Sequence, residues 1–179
     1  MIVDEQVLIG TVLGGSSLVR PPRARNYCLV MRSDNELWLR YKVAEMASFF
    51  KSPPSRVGKS FRAVSSCDAR LTACHEAMYD GRRRAVTEKI LDRLKYMGLA
   101  VWLLDNGGRC GRGCKNVYFN TTQFGDGAEV VREYFCDVGF PCRLNRSGGR
   151  SRVVLSVNGT LLLLGHTAYY FPEFMLDRF

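Results

Sequence analysis

LIGTVLGGSS, Leu8 to Ser17, is a mostly apolar helical run that stops at a Gly-Gly-Ser-Ser turn. About ninety residues later LAVWLLDNGG, Leu99 to Gly108, repeats the pattern with Asp-Asn at the turn. The segments beyond the two turns also match each other. NYCLVMRS (Asn26 to Ser33) and NVYFNTTQ (Asn116 to Gln123) alternate β-branched and aromatic residues with polar ones and are predicted strands. Each leads into an amphipathic helix, DNELWLRYKVAEMASFF with Asp34 as N-cap and DGAEVVREYFCDVGF from Asp126. The step from Asn26 to Phe50 is 24 positions, and so is the step from Asn116 to Phe140. Proline turns come after both helices, at Pro53 and Pro54 and at Pro141.

The repeat continues. SFRAVSS (Ser60 to Ser66) and SRVVLSVN (Ser151 to Asn158) are predicted strands, and DARLTACHEAMY (Asp68 to Tyr79) and GTLLLLGHTAYY (Gly159 to Tyr170) closing helices. Further strands are expected around the basic stretches Arg20–Arg25 and Arg143–Arg152. The expected fold class is therefore mixed α+β, two pseudo-symmetric α-β-β-α-β-β-α halves, residues 1–85 and 86–179, in one compact unit. The joint, DGRRRAVTEKILDRLKYMG, contains a short helix with Thr87 as its N-cap. A single irregular α+β domain with chance similarity is the alternative.

Composition narrows the partners. The chain has 179 residues, a formal charge of +9, and 20 arginines among its 26 basic residues. Arginine's planar fork suits phosphates and guanine edges, whereas lysine dominates ordinary solubilising surfaces. RPPRARNYCLVMR (Arg20 to Arg32) and CRLNRSGGRSR (Cys142 to Arg152) carry this charge without one acid, beside predicted strands. That pattern points to a nucleic-acid partner. No apolar run approaches the roughly 20 residues of a membrane span. With no leader-like opening and seven scattered cysteines, an intracellular, reduced chain is expected. CGRGC places Cys110 near Cys114, but no second pair completes a zinc set, and His75 and His166 stand apart with no nucleophile signature, so core or surface roles are expected for both.

Two apolar helices packed side by side would bring their turns to one point. Acids at both ends would make an oxygen-rich pocket suited to Mg²⁺, and small residues would be needed at the contact; Gly10, Gly14 and Ala100 fit.

The two apolar runs resemble the motifs of the LAGLIDADG homing endonucleases: LIGTVLGGSSL the first, LAVWLLDNGG the second in its Leu-Ala-x-Trp, Asp-Asp-Gly form. LTACHEAMYDGRRRAVTEKILDRL is similar to the family's joining segment, and YYFPEFMLDRF to its closing Pro-x-x-Met and basic residue. The resemblance implies a pseudo-twofold monomer with its motif helices at the centre. Two saddle-shaped antiparallel sheets would lie along a long duplex DNA site, with Mg²⁺-dependent hydrolysis of both strands. It also implies readers in those sheets: Arg20, Arg23, Arg25, Tyr27, Arg32 and Arg62, then Lys115, Asn116, Tyr118, Asn120, Arg143, Arg146, Arg150 and Arg152.

Carried over residue by residue, the metal-binding acid of each motif falls on Gly15 and Asn106. Glycine has no ligand, and asparagine offers a neutral oxygen. Asp105 is acidic but one position early, about 100° around the helix, so its expected role is a residual metal ligand or a solvated C-cap. Asp105 and Asn106 are thus the metal candidates, and cleavage is expected to be impaired. Arg84 and Arg178 match positions where the family places basic residues near the scissile phosphates. Loss of both acids also fits an intron-RNA-binding maturase on the same scaffold, the alternative partner.

Overall fold

The computed structural model describes residues 3–81, 83–111 and 113–179. Its first run is α1 (Val3–Leu13), β1 (Ser17–Val19), β2 (Cys28–Ser33), α2 (Glu36–Glu45), β3 (Ser55–Val57), β4 (Ser60–Val64) and α3 (Ala69–Met78). A small hairpin, β5 (Tyr79–Asp80) with β6 (Arg83–Arg84), and α4 (Glu88–Leu91) lead to the second run. This is α5 (Tyr96–Asn106), β7 (Gly107–Arg109), β8 (Val117–Asn120), α6 (Gly127–Asp137), β9 (Cys142–Ser147), β10 (Arg150–Leu155) and α7 (Val157–Thr167). Short 3₁₀ turns close the chain at Ala168–Tyr170 and Glu173–Arg178. The element order of the repeat is thus α-β-β-α-β-β-α twice over.

Both sheets are antiparallel and identically ordered, β1-β2-β4-β3 and β7-β8-β10-β9. The extra strand of the first sheet precedes the basic stretch: Arg20 to Arg25 form the loop between β1 and β2, with Arg23 at φ 65°. In the second sheet the basic stretch is itself a hairpin. Gly148 and Gly149, at φ 54° and 73°, make the two-residue turn that sets β9 against β10.

The core is continuous through both sheets because α1 and α5 run between them, buried nearly all round. Trp102 on α5 is fully buried, its ring 4.8 Å from Phe119 and 6.0 Å from Phe135. Capping differs from the expected pattern at α2, where the cap is Asn35 and not Asp34: its side chain accepts the Trp38 amide at 3.1 Å. Asp68 and Ser156 cap α3 and α7 in the same way, accepting from Arg70 and Gly159.

Candidate functional site

The site begins where α1 and α5 touch. A Cβ on Gly10 would stand 2.4 Å from the Gly98 carbonyl oxygen, and one on Gly14 would stand 2.4 Å from the Asp105 Cβ. Those approaches exclude any larger residue without movement of the backbone. Gly98, rather than Ala100, is the small residue that α1 meets; Ala100 is buried in the same helix. Gln6 locks the other end of the pair, donating to the Arg93 carbonyl at 2.9 Å and accepting the Lys95 amide at 2.7 Å.

The glycine contacts bring both turns to a cleft of about 670 Å³ whose walls include Gly15, Arg32, Asp34, Lys42, Asp105 and Arg178. Asp105 is neither a solvated cap nor free. Its carboxylate takes the Lys42 ammonium at 2.7 and 2.8 Å and the Trp38 indole N–H at 2.6 Å. The Lys42 side chain is 2% exposed and that of Asp105 10%, so this is a buried ion pair between α2 and α5.

The two turns have taken shapes that suit their present residues. Gly15 lies at φ +123°, where side chains are rarely found, with open space on its Cβ side. Asn106 donates its amide to the Asn120 carbonyl at 3.3 Å, which a carboxylate cannot do. One arginine sits over each turn. Arg84 donates to the Ser16 and Gly15 carbonyls at 2.8 and 3.3 Å, and Arg178 to the Gly107 carbonyl at 3.4 Å. Burial pulls the Arg178 guanidinium below its ordinary value, with Asp105 and Tyr118 opposing.

A divalent ion needs several converging oxygens. Among the described residues no group of three or more His, Cys, Asp and Glu converges. Gly15 offers no side-chain ligand and its carbonyl faces Arg84, Asn106 is neutral, and the Asp105 charge is spent on Lys42. The residues present do not fit the Mg²⁺ site that the motif pattern implies.

Strand register sorts the expected reading residues. On the outer face of the first sheet, Ser17 pairs with Val30 and Val30 with Val64, while Arg32 pairs with Arg62 and Arg62 with Ser55. On that of the second, Gly108, Tyr118, Val154 and Arg143 form one row, and Asn120, Arg152 and Asn145 the next. Arg150 extends the same face, and the Arg152 guanidinium lies 4.4 Å from the Tyr118 ring centre. Arg146 departs from expectation: it pairs with buried Ser151 and shares the parity of Leu144, the opposite side. Asn116 is also not a free reader, since its amide donates to the Leu155 carbonyl at 2.7 Å; Lys115 beside it is exposed in the loop before β8.

Arg20, Arg23, Arg25 and Tyr27 stand in the β1–β2 loop, not in a strand. Tyr27 stacks on His75 at 3.9 Å, and His75 on Tyr79 at 4.4 Å. Arg20 and Arg84 cover the two ends of that stack, at 5.7 and 5.9 Å. The Tyr79 hydroxyl accepts the Leu18 amide at 3.3 Å, tying the stack to the first turn. The helical spacing of His75 and Tyr79 was the one local signal for this pair; nothing local pointed to Lys42, Asn145 or the outward valines.

Residues 5–162 match the model of the LAGLIDADG DNA endonuclease family. A comparison with curated protein sequences gave no match. Among solved structures, the homing endonuclease I-WcaI bound to its DNA recognition sequence superposes with a TM-score of 0.90 at 16% identity, covering 98% of this chain and 85% of that one. I-DmoI in complex with DNA and Mn gives 0.59 at 11% identity, covering 92% and 95%. The N-terminal LAGLIDADG domain of DUF199/WhiA gives 0.61 at 12%, covering 98% and 85%. At these identities the likeness is one of fold.

Proposed function

Because this chain belongs to the LAGLIDADG DNA endonuclease family, we propose that it binds a long, specific duplex DNA site as a monomer and does not cut it efficiently. Residues 1–85 and 86–179 each engage one half of the site through the outer face of their sheet. Arg84 and Arg178 face the phosphates at the centre, one at each turn. The observation that carries the reading is the state of the turns. Gly15 sits at a φ unsuited to aspartate, Asn106 uses its amide as a donor, and Asp105 is neutralised by Lys42. No hydrolytic step is assigned to a metal, because the residues present at the turns do not fit one. Strands placed in a major groove expose alternate side chains to base edges, and arginine to phosphate contacts supply affinity that falls with salt.

The test starts from selection of a tight duplex from a random pool with the full chain. Cleavage of that duplex is then assayed with Mg²⁺ or Mn²⁺, using the chain as it stands and the Gly15→Asp/Asn106→Asp variant. Binding without cleavage is the expected result, with any cutting confined to the variant. Efficient metal-dependent cleavage by the unaltered chain would overturn the reading, and so would binding only to intron-type RNA.

A further inference from the structure

The outer faces of the two sheets differ in kind. The first carries Val19, Val30, Val64 and Val57 with Arg32, Arg62 and serines; Val19 and Val64 are each 44% exposed and Val57 46%. The second carries Arg143, Arg150, Arg152, Asn120, Asn145 and Tyr118, and its one outward valine, Val154, is buried. The hairpin registers set the correspondence, since Val57–Ser60 of one sheet matches Ser147–Arg150 of the other. The Val30–Val64 pair therefore stands where the second sheet has Tyr118–Val154, and Arg32–Arg62 where it has Asn120–Arg152.

Val19, Val30 and Val64 lie on three adjacent strands, so their strip spans about 10 Å at the usual strand spacing. That covers roughly three base-pair steps. Beside it Arg32 and Arg62 oppose each other directly, an unfavourable pairing for like charges unless an anion or acceptor lies between them. The Arg62 Nε is buried and, among the described residues, has no hydrogen-bond partner. No outward position of this sheet is acidic. The occupant must offer apolar groups and acceptors side by side within an anionic frame. The major-groove edge of thymine and guanine between phosphates does so: thymine presents its 5-methyl, and guanine two acceptors that suit arginine.

We propose that the first sheet reads thymine methyl groups with Val19, Val30 and Val64 and the neighbouring guanine or phosphate with Arg32 and Arg62, so that the two halves of the target differ in chemistry. The second sheet, with its arginines and asparagines, reads purine edges by hydrogen bonding. This inference rests on the duplex-binding reading above. It adds a consequence: the chain discriminates DNA from RNA partly through a methyl group that uracil lacks.

Deoxyuridine in place of thymidine deletes that methyl and leaves the base pair intact. In the selected duplex, thymines are replaced by deoxyuridine in one half at a time, and affinity is measured with the chain and with Val64→Ala. Loss of about three- to fourfold per contacted methyl is expected in one half only, roughly tenfold for two and about fortyfold for three, with less than twofold change in the other. Val64→Ala should weaken binding to the thymine duplex and make little further difference on the deoxyuridine duplex. Equal affinity for thymine and deoxyuridine duplexes in both halves would overturn the proposal while leaving duplex binding standing. So would equal Val64→Ala losses on both duplexes. Failure to bind any duplex, or tight binding to uracil RNA with the same dependence on Val64, would overturn the duplex reading and this inference together.

Discussion

Lys42→Met should unfold this protein far more easily than its position off the motif helices would suggest. The Lys42 ammonium lies within 2.8 Å of both Asp105 oxygens and 5.2 Å from the Trp38 ring centre, its side chain 2% exposed. At an effective dielectric near 20 the Coulombic attraction of a pair this close is about 6 kcal/mol, and the cost of desolvating each ion is several kcal/mol. The intact pair is therefore near neutral in sum. Removing one partner is different, because the other charge stays buried. Methionine keeps most of the aliphatic stem, so packing changes little, and Asp105 keeps only the Trp38 N–H and its 10% opening to the cleft. The loss should be about 3 kcal/mol, the lower end of the range for broken buried pairs. Urea unfolding followed by tryptophan fluorescence is suited to this, since Trp38 and Trp102 are the two tryptophans and both are buried. The double variant Lys42→Met/Asp105→Asn removes both charges and should recover most of the loss. A single-variant cost below about 1 kcal/mol, or a double variant equal to the sum of the singles, would refute the account.

Gly10→Ala forces a Cβ to 2.4 Å from the Gly98 carbonyl, and the backbone must shift to relieve it; destabilisation of about 1–3 kcal/mol is expected in the same urea assay. Arg178→Ala should leave sequence preference unchanged and lower the slope of log affinity against log salt by about one, read by anisotropy over a salt series; an unchanged slope would remove this residue from the phosphate contacts. Burial, reinforced by Arg20 and opposed by Glu76, holds the His75 imidazole below its ordinary value of 6.5. A folded value below the unfolded one gives stability that is full above pH 6.5 and drains as pH falls through the folded value. Thermal unfolding between pH 7 and pH 5 should therefore decline less steeply in His75→Phe, and parallel curves would contradict the assignment.

The frame was legible because it rests on local pattern. Two apolar helices ending at glycine turns, with strand and helix patterns at equal offsets, foretold the order of elements and both closing helices. The features that escaped the sequence were settled by distant contacts or by register. Asp105 meets Lys42 across 63 positions, and no local spacing encodes that pairing. Ala100 and Gly98 are both small, and only the crossing of α1 and α5 selects Gly98. The basic hairpin reads as a run of arginines, yet the turn at Gly148 and Gly149 fixes a pairing that puts Arg143, Arg150 and Arg152 on one face and Arg146 on the other. A one-residue slip would have reversed that division.

The contrast between what the turns lack and what surrounds them bears on how the chain works. On the proposed reading, in which the cleft meets phosphates, the lack of acids at Gly15 and Asn106 lowers repulsion, while Arg84 and Arg178 are bound to the turn carbonyls. Arg84 is further held by the stack through Tyr79 and His75 to Tyr27 and Arg20, which connects the first turn to the loop at the edge of the first sheet. A nuclease needs its acids free and its metals ligated; a binder needs its cations placed and its charges uncompensated on one side only. At the ends of the motif helices the one acid facing this cleft among the described residues, Asp105, is tied to Lys42, and among those residues the outward arginines of both sheets carry no ion pair with an acid on their own face. That distribution is the one the proposed reading requires, in which the chain holds DNA without hydrolysing it.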